Sequence, residues 1–329
     1  MKFGKDLEYF IFIFKKIFFF SLMVSILILI KAFTMRNKKY IKVCVCTCGK
    51  GENRYIREFV SHYINYGVDK IFIYDNNDIN GERFEMILKD YLKNNSIKII
   101  NYRGKLKIQM DVFNDCYEQL KTEYDWFFFF DIDEFIHLKN FQNVKDYLNQ
   151  YHFIKCNAIY LSHKLHTDNN QISYYNNSLA NRFPKIYEFD KFEKNSVILH
   201  LKYFVKAILR GNLTKIKISN PHLLSPDISQ TCNGNGKIIE QYDNQWKSPE
   251  QTYYYFDHYY FKSCEEYLHK LSKGSVFYGK ERKINIDRLI TYFAFNKLNE
   301  KKLHYFIKNT NLNLNMSFFK TKLLGIKYQ

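Results

Sequence analysis

The stretch DWFFFFDIDEF (residues 125–135) places a tryptophan and four consecutive phenylalanines directly before two aspartates, Asp131 and Asp133. An unbroken apolar run of this length is typical of a β-strand that is buried on both faces. Side chains alternate along a strand, so two aspartates separated by one residue point the same way if the chain stays extended. At the carboxyl end of a central parallel strand, they would lie where open α/β sheets bind ligands.

Two carboxylates held together beside a hydrophobic core repel each other and lose hydration, and a bound cation would relieve both costs. Oxygen ligands favour a hard ion such as Mg²⁺ or Mn²⁺, which commonly completes its coordination shell with substrate phosphates. We therefore predict that Asp131 and Asp133 bind Mn²⁺ or Mg²⁺ together with a substrate that carries a diphosphate. The competing interpretation is that both aspartates only cap the following turn.

The surrounding sequence alternates short apolar runs with amphipathic segments. This pattern predicts an α/β fold with a mainly parallel sheet flanked by helices. The first amphipathic segment ends at Gly67, a residue type that commonly follows the end of a helix. The predicted strands are residues 41–48, 70–76, 96–102 and 126–130, and the predicted helices are residues 54–66, 82–93 and 107–121.

A strand that ends in D-x-D also occurs in phosphohydrolases of the haloacid dehalogenase type, in which the first aspartate is the nucleophile. Those enzymes usually follow the motif with Thr or Val and carry it on the first strand. Here Glu134 and Phe135 follow it, and the strand is about the fourth of the chain. A nucleotidyltransferase would need a Gly-Ser turn upstream, which the sequence lacks. A membrane-anchored phosphohydrolase remains an enzymatic alternative.

The composition is that of a globular domain with a basic surface. Of the 329 residues, 46% are hydrophobic, and the formal net charge is +17. This charge favours an anionic partner, such as nucleic acid, an anionic membrane surface or a phosphorylated substrate. The positive residues are dispersed and the phenylalanines cluster in predicted strands, which argues against nucleic acid as a partner. A basic nucleic-acid-binding protein is kept as the non-enzymatic alternative.

Residues 17–30, IFFFSLMVSILILI, are uncharged and strongly apolar, and further apolar residues follow Lys31. A helix over residues 17–33 would reach about 25 Å, close to the thickness of a hydrocarbon core. We predict a single-pass transmembrane signal anchor there, between a short tail (residues 1–16) and a basic linker (residues 34–40). Lysines flank both ends, so the side of the membrane is undetermined. A cleaved signal peptide and a buried core helix are the alternatives.

The seven cysteines are an odd number spread thinly along the chain, which argues against a disulfide framework. Cys44, Cys46 and Cys48 alternate, so they would share one face of a strand. We interpret them as small apolar side chains of a buried strand, with a redox or metal role as the alternative. His163 and His166 form an H-x-x-H pair without the glutamate of a metalloprotease helix, which favours a structural role.

Several blocks of the sequence resemble glycosyltransferase family 92, which is related to family 2. KGENRYIREFVSHYINYGVDKIFIYDNND (residues 50–78) is similar to the opening block of that family, and FFFFDIDEF (residues 127–135) resembles its metal-binding strand. KAILR, NPH around His222, and FDHYYFKSCEEYLHKLSKG (residues 256–274) resemble later blocks in the same order. One departure is Gly51, where the family usually has asparagine.

The resemblance implies a GT-A (Rossmann-like) glycosyltransferase domain over residues 41–274. It also implies a metal-dependent transfer of a sugar, with a hexose expected, from a nucleotide-diphosphate sugar to a glycan, lipid or protein acceptor. A UDP-sugar is favoured as the donor, and inversion of configuration is expected. The partners are then a nucleotide-sugar donor, a glycoconjugate acceptor and the membrane, without nucleic acid.

The same resemblance implies roles for residues on the nucleotide side. Asp75 matches the position that receives the base or ribose of the nucleotide. A carboxylate there can accept hydrogen bonds from imide and hydroxyl donors. Glu52 would lie near the same nucleotide, and Arg210 and Lys262 would neutralise the diphosphate. The alternatives are an Asx-turn for Asp75, a helix N-terminal acid for Glu52, and solvated surface positions for the two basic residues.

Asp131 and Asp133 match the aspartates that bind the metal and the ribose–diphosphate, and His222 is the third metal ligand that we select. His258 is an alternative for that position, and each histidine also suits a structural role. An inverting transfer further needs a carboxylate or imidazole that deprotonates the acceptor hydroxyl. Asp257 and His258 are the candidates that we select. Asp168, Glu188 and Asp190 also lie in the acceptor half, and the sequence does not identify the base among these residues.

Residues 275–329 are predicted to form a C-terminal helical extension, because residues 284–298 and 301–309 show helical spacing. These helices would pack on the sheet or contact an anionic membrane surface, which their lysines suit. The polar residues 166–178 are interpreted as a loop that closes over substrate or as a low-complexity insertion.

Overall fold

The structure is a computed structural model. It describes residues 15–16, 18–26, 40–190, 198, 201–239, 253–274, 284–312 and 315–328. The chain divides into two units, Met1–Tyr40 and Ile41–Gln329.

In the first unit, residues 18–26 are helical and their apolar side chains are exposed. None of the helices in the described part of the chain is both long enough and apolar enough to cross a membrane. Residues 17 and 27–33 of the predicted anchor lie outside the described residues, so the anchor stays a prediction.

Among the described residues, the second unit is built on a ten-stranded sheet with the order β3-β2-β1-β4-β7-β6-β10-β5, and β8 and β9 extend it beside β6. The strands are β1 Val43–Gly49, β2 Lys70–Asp75, β3 Ile97–Asn101, β4 Trp126–Phe129, β5 Glu134–Leu138, β6 Ala158–Leu165, β7 Val205–Arg210, β8 Thr231–Asn233, β9 Ile238–Ile239 and β10 Tyr254–His258.

The sheet is mixed: its first half is parallel as predicted, and the part beyond β4 combines antiparallel pairs with the parallel pairs β6–β10 and β6–β8. Strands β3, β2, β1 and β4 pair in parallel. Beyond β4, strand β7 is antiparallel to both β4 and β6, and β5 is antiparallel to β10. Parallel neighbours need long crossover connections, which helices supply in the first half, whereas antiparallel neighbours do not.

Helices flank the sheet. They are α1 Asn53–Asn65, α2 Phe84–Ile87, α3 Lys89–Lys93, α4 Gln109–Leu120, α5 Val144–Leu148, α6 Leu179–Arg182, α7 Cys264–Ser272, α8 Ile286–Phe295, α9 Glu300–Asn309 and α10 Met316–Tyr328. The single helix predicted over residues 82–93 is wrong, because Leu88 leaves helical geometry between α2 and α3. The helices predicted near residues 284–298 and 301–309 are present as α8 and α9.

Strand β4 explains the unbroken aromatic run. On one face, the rings of Phe128 and Phe130 lie 6.4 and 5.9 Å from that of Tyr63 of α1. On the other face, the ring of Phe129 lies 4.8 Å from that of Phe113 of α4. Because helices cover both faces, every position of the strand is buried. The prediction of a central strand buried on both faces is confirmed.

The expectation of no disulfide framework is wrong. Cys46 of β1 is bonded to Cys116 of α4, and Cys156 is bonded to Cys232 of β8. The bonded partners are 70 and 76 residues apart, and the sheet and its covering helix bring them together. The three alternating cysteines of β1 do share one buried face, as predicted.

Candidate functional site

The D-x-D motif lies in a turn at the carboxyl end of β4. The backbone N–H of Asp131 donates to Glu134 Oε2 at 2.9 Å, and the N–H of Glu134 donates back to the carbonyl O of Asp131 at 3.0 Å. Gly49 ends the neighbouring β1, and a Cβ there would lie 2.3 Å from Ile132 Cδ1. Glycine at this position therefore allows the turn to pack against β1.

The prediction that the two aspartates point the same way assumed an extended chain. The chain turns here instead, and the two carboxylates have different partners. Asp131 accepts hydrogen bonds from Gln109 Nε2 at 3.0 Å and from Lys206 Nζ at 2.8 Å. Its side chain is 35% exposed, whereas Lys206, on β7, is completely buried. Burial lowers the pKa of Lys206, but the Asp131 and Glu134 carboxylates outweigh this effect and raise it. Lys206 is therefore a permanent cation behind the motif.

Asp133 is more deeply buried than Asp131 and contacts two other lysines. Its Oδ2 lies 3.0 Å from Lys262 Nζ and 3.0 Å from Lys270 Nζ. Burial would raise the pKa of Asp133, but the two ammonium groups hold it well below its usual range. Asp133 is therefore a buried carboxylate shared by two cations.

Glu134 and His258 complete the motif on its inner side. His258 Nε2 lies 3.8 Å from Glu134 Oε1 and 3.9 Å from Asp133 Oδ1. Glu134 Oε1 is buried without a hydrogen-bond partner among the described residues. Burial raises the pKa of Glu134 and lowers that of His258 well below its usual range, so the imidazole is neutral. Its Nδ1 lies 3.2 Å from His163 Nδ1.

Helix α7 carries Lys270, and Lys262 lies directly before the N-cap of this helix. It begins with a capping box, in which the side chain of Ser263 accepts from the N–H of Glu266 and Glu266 accepts from the N–H of Ser263. The Glu266 carboxylate is also bonded to Arg182 and to Tyr55 of α1. These contacts anchor the start of the helix, so that Lys270, one turn further along, lies beside the D-x-D turn.

Glu52 precedes α1 at a turn on the same edge of the sheet. Its Oε1 forms an ion pair with Lys273, while its Oε2 is buried and lacks a partner in the part of the chain that the structure describes. Gly51 has φ +64°, in the left-handed region that glycine and asparagine adopt most readily. Glycine in place of the asparagine of the resembled family therefore keeps this backbone conformation accessible.

Asp75 ends β2 but is enclosed. Its Oδ1 accepts from the backbone N–H of Asn77 at 2.9 Å and from Asn77 Nδ2 at 2.7 Å. Its Oδ2 accepts from Arg103 Nη1 at 2.5 Å. The Asx-turn interpretation therefore describes its local contacts, and its role in nucleotide binding stays a prediction.

The structure separates Arg210 from the motif. Arg210 pairs with Trp126, the first residue of β4, so it lies at the opposite end of that strand from Asp131. Its guanidinium donates to the carbonyl oxygens of Cys156 at 2.8 Å and Phe153 at 2.6 Å and lies 4.3 Å from the Trp126 ring centroid. Arg210 is therefore held by structural contacts, and these lie away from the edge of the sheet that carries the D-x-D motif.

Asp257 and His258 are neighbours on β10, so their side chains point to opposite faces of the sheet. His258 faces the D-x-D turn, whereas Asp257 Oδ1 lies 2.8 Å from His166 Nε2. Of the two base candidates, the fold thus brings only His258 to the motif. The ring of His222 packs 4.0 Å from that of Phe204, and its Nδ1 lies 3.2 Å from the carbonyl O of Val205.

Sequence reasoning missed Lys206, Lys270 and Lys273. Lys206 lies inside the apolar run of β7, and a lysine flanked by apolar strand residues is a signal for a buried cation. Lys270 and Lys273 lie near the end of a helix, where lysines ordinarily complement the helix dipole from solvent. No local pattern distinguishes that role from the contacts that Lys270 makes with Asp133 and Lys273 makes with Glu52.

Within the described residues, no group of three or more His, Cys, Asp or Glu side chains is arranged as a metal site. The chemistry of the donors nevertheless suits a hard divalent cation. Asp131 offers a partly exposed carboxylate, and the neutral His258 lies between Asp133 Oδ1 and the unpartnered Glu134 Oε1, at 3.9 and 3.8 Å. The residues present thus fit the predicted cation in donor type.

A family model, glycosyltransferase family 92, matches residues 39–274. Among curated proteins, a family 92 protein of Oryza sativa subsp. japonica is 31% identical over 116 residues, 35% of this chain and 19% of the relative. A family 92 protein of Ricinus communis is 31% identical over 112 residues, 34% of this chain and 20% of the relative. The matched segment therefore spans about a fifth of each curated relative's length.

Among solved structures, S. aureus TarS in complex with UDP-GlcNAc is similar over 87% of this chain and 72% of its own, with a TM-score of 0.41 and 11% identity. The mannosyltransferase PcManGT from Pyrobaculum calidifontis, in complex with GDP-Man and Mn²⁺, covers 88% of this chain and 87% of its own, with a TM-score of 0.37 and 7% identity. Both TM-scores are below 0.5, so we draw nothing from these likenesses.

Proposed function

Because the chain belongs to glycosyltransferase family 92, we propose that it transfers a sugar from a nucleotide-diphosphate sugar to a hydroxyl group of an acceptor. The observation that supports this proposal best is the position of the D-x-D turn, at the carboxyl end of β4 and among three cations, Lys206, Lys262 and Lys270. A departing nucleoside diphosphate gains negative charge, and preorganised cations stabilise such charge. A UDP-sugar is the favoured donor, and the acceptor is a glycan, lipid or protein.

In the proposed reaction, an acceptor oxygen forms a bond to the anomeric carbon of the sugar. The bond between that carbon and the diphosphate oxygen breaks, and the nucleoside diphosphate leaves with the electron pair. The acceptor proton passes to a base, and one displacement inverts the configuration. His258 is the candidate base that faces the motif.

Mn²⁺ or Mg²⁺ is the proposed cofactor. Asp131 and Asp133 would hold it, with His222 as a further ligand, or with His258 if another group is the base. When bound, the cation would neutralise part of the charge on the leaving diphosphate. Membrane anchoring through residues 17–33 remains part of the proposal.

The test is calorimetric titration of UDP and GDP into the full chain in detergent, with and without Mn²⁺. The test variant is Asp131→Asn/Asp133→Asn, and the matched control is Asp90→Asn/Glu118→Gln, which neutralises two exposed carboxylates. We expect metal-dependent binding by the wild type and the control, and at least about tenfold weaker binding by the test variant, because charged ligand contacts are lost.

A folded wild-type chain that binds neither nucleotide would contradict the proposal. Release of free phosphate from a phosphorylated substrate, without nucleotide binding, would favour the phosphohydrolase alternative. Salt-sensitive RNA binding would favour the nucleic-acid alternative.

A further inference from the structure

Three lysines carried by one segment of the chain converge beside the D-x-D turn: Lys262, Lys270 and Lys273, which we call the α7 lysine cluster. Lys262 lies just before the cap of α7, Lys270 lies in its last turn, and Lys273 follows its end. Two of the ammonium groups share Asp133 Oδ2, and the third pairs with Glu52 Oε1.

The α7 lysine cluster contains more positive than negative charge. Its three ammonium groups form ion pairs with two carboxylates, those of Asp133 and Glu52. Glu266 also attracts Lys262, but its charge is balanced by Arg182. Burial lowers the pKa of Lys273, and repulsion from Lys262 and Lys270 lowers it further, against the attraction of Glu52. Like charges held together away from water raise the free energy of the folded state, and an anion would relieve this repulsion.

The backbone of Lys262 is a second, independent observation. Its φ of 56° lies in the left-handed region, which residues other than glycine seldom adopt and which persists only where the surroundings enforce it. The side chain is only 4% exposed, and its ammonium lies 4.7 Å from the ring centroid of Tyr55. An exposed lysine would need neither feature. The fold therefore holds this ammonium group at a defined place beside Asp133.

We propose that Lys262, Lys270 and Lys273 together form a binding site for the diphosphate of the nucleotide donor. This inference rests on the proposed function and adds Lys270 and Lys273 to the donor site. Each ammonium group has three N–H donors, and a diphosphate offers several charged acceptor oxygens, so one ligand could bind ammonium groups that here use two separate carboxylates. Free pyrophosphate shares this chemistry and serves as the probe.

In this arrangement, Asp133 and Glu52 are the counter-ions of the empty cluster. Oxygens of the diphosphate would take over part of their hydrogen bonds. Glu52 Oε2 is buried and lacks a partner among the described residues, so this carboxylate is poorly stabilised where it is. Removal of its charge should therefore favour an incoming anion, which is the opposite of what a Glu52 that binds the nucleotide through its carboxylate would show.

The experiment is calorimetric titration of inorganic pyrophosphate into the full chain in detergent, with EDTA and no added metal. The variants are Lys270→Met, Lys273→Met and Glu52→Gln, with Lys98→Met as a control at an exposed position of β3. We expect both cluster variants to bind at least about tenfold more weakly, because each loses a charge-assisted hydrogen bond. Glu52→Gln should bind several-fold more tightly, and Lys98→Met should match the wild type.

The proposal is overturned if the wild type does not bind pyrophosphate, or if Lys270→Met binds it as well as Lys98→Met does. Thermal unfolding of each variant shows whether it is folded. If a lysine variant does not fold, Glu52→Gln still tests the proposal. Unchanged or weaker pyrophosphate binding by Glu52→Gln also overturns it.

UDP and GDP titrations of the same proteins separate this inference from the proposed function. Lysine-dependent pyrophosphate binding without nucleotide binding would support the diphosphate site and contradict the transferase. Nucleotide binding that the lysine variants retain would support the transferase and overturn the α7 lysine cluster as its diphosphate site.

Discussion

Two groups of buried charges in this molecule differ in how completely their atoms are paired. In the first, Asp168 Oδ1 accepts from the N–H of Asn170 at 2.9 Å, and Oδ2 accepts from Tyr292 Oη and Lys302 Nζ, each at 2.5 Å. Lys302 Nζ also donates to the carbonyl O of Lys297 at 2.9 Å. One cation faces one anion, and both have hydrogen-bonded partners.

The second group, around the D-x-D turn, is not balanced in this way. Asp133 Oδ2 is shared by Lys262 and Lys270, while Glu134 Oε1 and Glu52 Oε2 are buried without partners among the described residues. Buried polar groups are ordinarily hydrogen-bonded, and an unpaired one needs an explanation, such as an ion or a ligand that completes the site. The Asp168 group links α8 and α9 to the loop after β6, whereas for the D-x-D group a bound ligand is the proposed partner of the unpaired atoms.

The largest expected effect is on the balanced group. Lys302→Met should lower the free energy of unfolding by about 3–5 kcal/mol, because it leaves the buried Asp168 carboxylate without its cation. Urea unfolding followed by circular dichroism at neutral pH measures the loss. The control is Lys301→Met, the exposed neighbour on α9, which should stay within about 0.5 kcal/mol of the wild type. The double variant Asp168→Asn/Lys302→Met should recover most of the loss, and failure to do so would contradict this account of the pair.

His62 of α1 differs from both groups of buried charges, because the fold keeps this buried side chain uncharged. Burial lowers its pKa from 6.5 to about 4, and its Nε2 lies 3.0 Å from the carbonyl O of Ile136. Because the unfolded chain takes up the proton first, His62 stabilises the fold fully above pH 6.5, and this contribution falls as the pH decreases towards 4. At pH 5, the loss should be about 2 kcal/mol.

Substitution of His62 isolates this effect from that of the other titrating groups. The ring stacks 4.7 Å from that of Tyr66, so phenylalanine should retain the packing. We expect His62→Phe to lose about 2 kcal/mol less stability than the wild type between pH 7 and pH 5. Urea unfolding at both pH values measures the difference, and identical losses for the two proteins would show that His62 is not the titrating group.

The smallest expected effect on stability is in the unbalanced group. Lys270→Met should change the free energy of unfolding by less than about 1 kcal/mol, because Asp133 keeps Lys262 as its partner and repulsion within the α7 lysine cluster decreases. Urea unfolding under the conditions used for Lys302→Met gives the comparison. A loss as large as that of Lys302→Met would mean that Lys270 is a structural residue like Lys302. It would contradict the proposed difference between the Asp168 group and the D-x-D group.

Much of the fold and part of the candidate site could be predicted from the sequence. The apolar run over residues 126–130 predicted a strand buried on both faces, because every position of such a strand needs an apolar side chain. The D-x-D position at its carboxyl end followed from the same pattern. The mixed pairing beyond β4 did not follow, because short apolar segments look alike in parallel and antiparallel sheets.

The site residues show a similar division. Lys262 was selected from its block, but Lys270 and Lys273 were not, because lysines near a helix end usually face solvent. Arg210 was selected and lies at the far end of β4. The position of Arg210 depends on the direction of β7. Because β7 is antiparallel to β4, its last residue lies beside the first residue of β4.

The sequence by itself determined the α/β class of the fold, the first four strands and the two aspartates that follow the fourth, because side-chain periodicity and burial are local properties. The tertiary structure alone decided which charges meet: Lys206 with Asp131, and Lys262 and Lys270 with Asp133. It also decided the disulfide pairs and the face of β10 that turns towards the motif. These are contacts between residues far apart in the chain, and they exist only where chain direction, turn geometry and packing bring the atoms within a few ångströms.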